Sequence, residues 1–397
     1  MRTFLFILLA CPGLFAQRTV EYDYSVVSQV RIDLRDLGYP PLDVIPSGES
    51  AIRSLAVAPN GAIYGATSGR RSHLFVLYPQ HGYVQPLGFL KGVTTVHRSL
   101  VVAANGDVYI GGSISVDVDG QGYGGYDGGR LLRYTPGPDD ERKAIHIDAE
   151  CPVRDLGIPV AGDGIYTLAI DRTRQTIYGL TYPSARFFSY AIANKKFTVH
   201  GGVAEHSIPG EKFEKDRNIG RALALDADGR VYGSGDRGDL FRFDPVQQKL
   251  ETLRVAAPTV RGREPYNRID CWTGNPDGPL YGGTSDGYLF RFDPKSLALE
   301  NLGKPLNQYR LRGLALAPNG RLYGVGGDDD EMARLFSYDP VRGVYEMLGM
   351  VDVNRRPYYS WQAYVIDALA LGADGTLYLG QSERKSKLYL YYPEAAK

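Results

Sequence analysis

The 397-residue sequence lacks net charge: 45 Lys and Arg stand against 45 Asp and Glu. That balance removes the bulk attraction on which nucleic-acid and membrane-surface binders rely, so neither partner is expected. Cysteine is scarce, with three in all. Beyond residue 16 only Cys151 and Cys271 remain. They can pair in an oxidising compartment, but two thiols are no disulfide framework, and free or buried thiols are the expectation. Helix signals are almost absent. No apolar run is long enough to span a bilayer. No motif for a nucleotide, a redox cofactor or a covalent nucleophile is present, so the chemistry is expected to need no cofactor.

The first residues read as an address. Residues 1–16 have the form of a secretory signal, with Arg2, an apolar run over 4–10, and Ala16 before Gln17. Leu8-Leu9-Ala10-Cys11 also resembles a bacterial lipoprotein cleavage site, with a lipid anchor at Cys11. The expectation is a secreted or periplasmic domain over 17–397, the alternative an outer-surface lipoprotein.

What the chain has is repetition. Seven copies of one pattern run from about residue 50 to the end, opening at Ile52-Arg53, Arg98-Ser99, Tyr166-Thr167, Arg221-Ala222, Asp270-Cys271, Arg312-Gly313 and Asp367-Ala368. Each is an apolar strand, a turn, a short strand with Tyr-Gly or similar, a third strand rich in Leu, Phe and Tyr, and a weaker fourth. The turns are Asn60-Gly61, Asn105-Gly106, Asp228-Gly229, Asp277-Gly278, Asn319-Gly320 and Asp374-Gly375, pairs that suit two-residue hairpins. The third copy uses Arg172-Thr173-Arg174-Gln175 instead. A period of roughly 40–55 residues with four strands per unit predicts an all-β, seven-bladed β-propeller. The last copy stops after its third strand. Residues 26–37 read as a strand ending in Arg35-Asp36-Leu37-Gly38, like Arg154-Asp155-Leu156-Gly157 after the second copy. The N-terminal strand is therefore expected to complete the last blade and close the ring.

Propeller geometry places two rings of residues at one mouth. The starts of the first strands give Arg53, Arg98, Tyr166, Arg221, Asp270, Arg312 and Asp367. The starts of the third strands give His73, Arg130, Arg186, Asp239, Tyr288, Arg334 and Lys387. A wet mouth tolerates polar residues, and Arg also serves there as a strut between blades. One departure is sharper. The residue before the first ring is Ile52, Ile165, Gly220, Ile269, Leu311 and Ile366 in six copies, but His97 in the second. His73, His97, Tyr166 and Arg186 come from neighbouring blades and are expected to converge on one side of the mouth.

Histidines, a tyrosine and arginines suit an anionic substrate. Arg binds a carboxylate as a bidentate fork. When the carboxylate belongs to a uronic acid, neutralising it acidifies the adjacent C5–H. His or Tyr can take that proton and protonate the leaving oxygen at C4. This is the β-elimination of polysaccharide lyases. The repeat and the four residues resemble the seven-bladed propeller lyases that cleave ulvan, and more distantly those acting on rhamnose–glucuronate linkages. The likeness is carried by Tyr64-Gly65-Ala66-Thr67, by Ser72-His73-Leu74-Phe75, and by the run from Tyr178 through Tyr182 to Arg186. The resemblance implies His73 and Tyr166 as base and acid, in an order it leaves open, with Arg186 and His97 holding the carboxylate.

Long loops on the same face add aromatics beside arginines. Residues 254–268 carry Tyr266 and Arg268, and residues 350–365 carry Tyr358 and Trp361. With Arg53, Arg98, Tyr182, Arg221 and Arg312 these are the expected substrate-binding residues, for an anionic polysaccharide. His200, His206 and Cys271 are metal ligands by type but lack tight spacing, so a structural metal is not indicated. Asp117-Val118-Asp119-Gly120 only faintly resembles a calcium loop. Two alternatives stand beside the lyase. One is a propeller that binds glycan or protein without turnover. The other is a metal-dependent, lactonase-like propeller built on acids such as Asp270 and Asp367.

Overall fold

The computed structural model describes residues 35–36, 45–80, 83–114, 126–138, 140, 148–207, 217–275, 277–328, 331–355, 359–383 and 386–393. Among them are seven four-stranded antiparallel sheets, one per sequence copy, and one two-stranded hairpin. Blade 1 is typical: Ala51–Val57, Ile63–Ser68, Ser72–Tyr78 and Tyr83–Leu90 follow one another from the axis outward. Blade 7 holds Ile366–Leu371, Leu377–Gln381 and Leu388–Tyr391, and its fourth member is Arg35–Asp36, paired antiparallel as Arg35 to Leu390 and Asp36 to Tyr389. The rest of the predicted closing strand, the leader with Cys11, and the 117–120 segment lie outside the described residues. No described helix is long and apolar enough to cross a membrane.

The sequence repeat has a packing cause. In five blades a second-strand glycine sits opposite a third-strand phenylalanine: Gly65 and Phe75, Gly179 and Phe188, Gly233 and Phe241, Gly282 and Phe290, Gly324 and Phe336. The ring lies flat over the glycine, and a Cβ there would overlap it. The neighbouring tyrosine of every blade (Tyr64, Tyr109, Tyr178, Tyr232, Tyr281, Tyr323, Tyr378) is buried. Burying each such aromatic is worth roughly 1.5–3 kcal/mol, which is why the pattern recurs in all seven copies.

The turns differ from the expected two-residue type. The Gly61 N–H bonds the Ala58 carbonyl (2.9 Å) and the Ala58 N–H bonds the Ala62 carbonyl (2.8 Å). Only Gly61 has positive φ, at 84°. This is a type I turn over 58–61 followed by a left-handed glycine, a three-residue connection. Gly106, Gly229, Gly320 and Gly375 repeat it. In blade 3 Gln175 takes the left-handed position (φ 50°), and the Asp171 carboxylate caps the Arg174 N–H (2.8 Å).

Cys151 and Cys271 are both free and buried. Burial pushes each thiol up to about 12, and the Cys271 Sγ–H donates to the Leu311 carbonyl (3.1 Å). The chemistry of both is that of small core residues.

Candidate active site

The first ring is brought together by a recurring irregularity. In blades 1, 3, 5, 6 and 7 the innermost strand slips register at one residue, between Ile52 and Ser54, Ile165 and Thr167, Ile269 and Cys271, Leu311 and Gly313, and Ile366 and Ala368. The skipped residues are Arg53, Tyr166, Asp270, Arg312 and Asp367, the first-ring members. A bulge re-aims one side chain while the ladder continues on either side. Here it lets an apolar residue stay wedged between blades while the next residue points at the axis. In blades 2 and 4 the innermost strands begin late, at Leu100–Val102 and Ala224–Leu225. The approach to each pairs with the next blade instead: the Leu168 N–H donates to the Arg98 carbonyl (3.0 Å), and the Arg221 N–H to that of Ile269 (2.8 Å).

Together these residues enclose a cavity of about 220 Å³ on the axis, lined by Arg53, His97, Arg98, Tyr166, Arg221, Arg310, Arg312, Asp328, Val365, Asp367 and Ser382. Five arginines against two carboxylates make it cationic. Arg98 bridges it, donating from blade 2 to the backbone carbonyls of Asp270 and Arg312 on the far side. Arg312 is nearly sealed from solvent. Its guanidinium binds the Gly327 carbonyl (2.6 Å) and the carboxylates of Asp367 and Asp328. Asp270, just behind the wall and fully buried, gathers Arg310 (2.8 Å), Arg268 (3.2 Å) and Arg221 (3.7 Å). Burial alone would raise the Asp367 carboxyl. Arg312, Arg221, Arg98 and Arg53 outweigh it and hold it well below the usual carboxylate range. Three N–H groups remain buried without a hydrogen-bond partner: Arg53 Nε, Arg221 Nε and Arg310 Nη2.

On the opposite wall the His97 ring lies 4.8 Å from that of Tyr166, tilted by 53°, and Tyr166 stacks on Tyr182 at 5.5 Å. The Tyr166 hydroxyl meets Arg221. Burial works against the Arg221 charge, but Tyr166, Asp270 and Asp367 overcome it and raise its pKa. His97 is half-buried and lines the cavity. Burial, then Arg53 and Arg221, push its pKa down to about 3, against a weaker pull from Asp367. The empty cavity therefore holds a neutral imidazole throughout the physiological range.

The expected four-residue cluster is brought together in half. His97 and Tyr166 share the cavity; His73 and Arg186 do not line it. His73 is fully buried, with Nε2 on the Glu49 carboxylate (2.9 Å), Nδ1 unpartnered, and its pKa lowered by burial against the pull of Glu49. Arg186 is exposed at the start of Arg186–Ala191. No other member of the second ring lines the cavity either. The physical reason is distance: third strands lie two strand spacings, roughly 10 Å, farther from the axis than first strands.

Of the other expected binding residues, Arg53, Arg98, Arg221 and Arg312 line the cavity, and Tyr182 backs it through Tyr166. Arg268 is tied to Asp270, and Tyr266 is exposed on the face. Tyr358 lies outside the described residues; Trp361 belongs to the strand Tyr359–Gln362, where its side chain is not described. The two histidines that are metal ligands by type lie apart. His200 sits in the strand Lys196–Gly202, bonded to Ser189 Oγ (2.8 Å) and 4.3 Å from the Phe243 ring, because that strand presents it to the aromatic core between blades 3 and 4. His206 is exposed and bonded to Asp236 (3.0 Å). Among the described residues no three His, Cys, Asp or Glu side chains group as metal ligands. Arg310, Asp328 and Ser382 went unread in the sequence. Arg310 was within reach, since it stands two residues before the first ring as Arg268 does.

No protein-family model matches this chain, and no curated protein matches it in sequence. Solved structures match it in shape. A streptogramin B lyase superposes with a TM-score of 0.61 at 11% identity, covering 92% of this chain and 100% of that one. A catalytically inactive virginiamycin B lyase from Staphylococcus aureus with quinupristin gives 0.57 at 11%, covering 91% and 99%. The extracellular domain of a putative one component system from B. thetaiotaomicron gives 0.54 at 16%, covering 90% of this chain and 39% of that one. At such identities the likeness is one of fold: this chain is a seven-bladed β-propeller whose structural neighbours include a streptogramin B lyase, a virginiamycin B lyase and an extracellular domain.

Proposed function

We propose that the protein is a lyase that eliminates across C4–C5 of a uronate unit in an anionic polysaccharide outside the cytoplasm, with its chemistry in the axial cavity. The observation that carries this reading is the His97 ring in contact with Tyr166, in a cavity where the Nε–H groups of Arg53 and Arg221 lack hydrogen-bond partners. The carboxylate takes the open donors of Arg53 and Arg221, which stabilise the enolate as it forms. His97 accepts the C5 proton. The C5–H electrons become the C4–C5 double bond, the C4–O bond breaks, and the Tyr166 phenol protonates the departing oxygen. A proton passing from imidazolium to phenolate resets the pair.

An imidazole held near 3 is a weak base until the substrate arrives. Burial, the largest cause of the depression, remains when substrate binds, but the arriving carboxylate offsets Arg53 and Arg221, so binding moves His97 upward in basicity. His73, buried against Glu49, and Arg186, exposed outside the cavity, which the ulvan-lyase resemblance would place in catalysis, take no part in the chemistry of this reading. Asp270 and Asp367, the acids a lactonase-like metal site would use, are already engaged by arginines. Binding without turnover is the remaining competitor, because open donors hold an anion whether or not it reacts. Ultraviolet absorbance of the unsaturated uronate product decides between them. Growth on ulvan or another uronate polysaccharide in wild type and not in His97→Ala supports the lyase. Tight binding with no absorbance change on any uronate polysaccharide supports the binder.

A further inference from the structure

A 220 Å³ space falls below the usual 300–1,000 Å³ of ligand pockets and suits one sugar ring. The adjoining units of a chain must then lie on the surrounding face. One part of that face is built differently from the rest. Tyr266 and Tyr309 are 41% and 52% exposed. The Arg263 guanidinium lies over both rings, at 5.8 and 5.7 Å, and the Lys304 ammonium over Tyr309 and Tyr288, at 5.4 and 5.8 Å. These residues occupy the loops entering the first strands of blades 5 and 6 (Ile269–Gly274 and Leu311–Leu316) and the turn before Leu289–Asp293, all at the end of the sheets where the cavity opens.

The cluster is held from below. Asp286, fully buried, accepts from Arg263 Nε (2.8 Å), Thr259 Oγ1 (2.5 Å) and the Val260 N–H (3.2 Å). Arg263 is anchored through Nε, so the far edge of its guanidinium faces outward. The cluster is also continuous with the cavity. Arg310, the residue after Tyr309, has a left-handed backbone (φ 65°), uncommon for a side chain of its size. That turn sends Arg310 inward to Asp270 (2.8 Å) while Tyr309 stands out on the surface. Exposed cation–π pairs are worth only about 0.5–1 kcal/mol each, little reason to leave two tyrosines uncovered. Flat rings with fixed cations between them match an acidic sugar, whose C–H face stacks while its sulfate or carboxylate meets the charge.

We propose that Tyr266, Tyr309, Arg263 and Lys304 form a second subsite that binds the acidic sugar unit next to the one inside the cavity. The proposal rests on the lyase reading for the identity of the ligand. It also fixes the chain's direction, from the axis outward over blades 5 and 6.

The test compares ulvan disaccharide and hexasaccharide. In wild type the hexasaccharide has the lower KM. In Tyr309→Ala and, separately, Arg263→Gln, that length preference shrinks about tenfold, and Arg263→Gln also flattens the salt dependence of binding. Tyr309 is exposed, so Tyr309→Ala is expected to melt like wild type; Arg263→Gln removes the cation on buried Asp286, so a lowered but still cooperative melting curve is expected and activity is read well below it. An undiminished preference in both variants overturns the subsite. Calorimetric titration of the same oligosaccharides into His97→Ala separates the two ideas. Hexasaccharide binding that Tyr309→Ala weakens, with no turnover by wild type, keeps the subsite and removes the lyase. Turnover with a length preference indifferent to Tyr309 does the reverse. Selective binding of an acidic peptide in place of the hexasaccharide also overturns it.

Discussion

The two walls of the axial cavity are made of the same kinds of residue at the same place in the repeat, yet one is locked and the other is open. On blades 5 to 7 Asp270 and Asp367 bind arginines of the wall, and Arg312 has acids on two sides. On blades 2 to 4 none of the wall residues is an acid: His97 and Tyr166 face each other, and Arg221 meets the Tyr166 hydroxyl while reaching only the distant Asp270 (3.7 Å) across the wall. Acids alternated into the ring make struts of Arg310 and Arg312, whereas beside His97 and Tyr166 the Nε–H groups of Arg53 and Arg221 are left without a hydrogen-bond partner. A buried charge pair is costly to break, so the locked wall is a rigid reference against which the open wall presents its groups.

That contrast is breakable. Replacing His97 by Ala removes the proposed base from the open wall and is expected to lower kcat about 10³–10⁴-fold with the melting temperature nearly unchanged, read by product absorbance. Replacing Asp270 by Asn strikes the locked wall and leaves Arg310, Arg268 and Arg221 facing a neutral group. Stability in urea is expected to fall by about 3–5 kcal/mol. Comparable effects of both changes on both assays would erase the distinction between the walls. Tyr166→Phe keeps the stack on Tyr182 but removes the proposed proton donor, and about a 10²-fold loss of kcat is expected, with little change in KM. Arg221→Lys keeps charge but loses the fork, and should raise KM about tenfold.

The smallest effect is in pH. His97 is held at about 3, below its ordinary value. The unfolded chain therefore takes up a proton that the folded chain refuses. Its share of stability is complete above about pH 6.5 and is lost as pH falls from there toward 3. Asp367 acts in the same sense below the usual carboxylate range, because its folded value is also lowered. Without ligand, the His97 ring signals are expected to stay fixed between about pH 5 and pH 8, and to move only when a uronate is bound. A free-enzyme His97 that titrates near its ordinary value would mean the open wall is wetter than its burial implies.

The sequence showed the repeat because tyrosine, glycine and turn residues each have one job per blade, and seven copies make a weak signal legible. Arg53, Arg98, Tyr166, Arg221, Arg312 and Asp367 were found the same way, by alignment on the turns, and His97 because it broke the pattern. His73 and Arg186 were grouped with them because a one-dimensional alignment records which end of a strand a residue occupies and carries no radius. Third strands share the mouth end but stand farther out. Asp270 was visible as a ring member, but its work of tying Arg221, Arg268 and Arg310 depends on side-chain reach across two blades, which has no local signature. The N-terminal pairing was legible through the repeated Arg-Asp-Leu-Gly ending, and Arg35–Asp36 is the part of it the described residues include.

The register slips have a further consequence. A residue extruded from a ladder has no partner across the strand whose shape it must match, so its identity is set by what occupies the centre and hardly at all by the sheet that carries it. Five such places around one axis work like interchangeable fittings on a fixed wheel. Hub residues can be exchanged one at a time, changing what the centre would accept, with no need to rebuild the spokes.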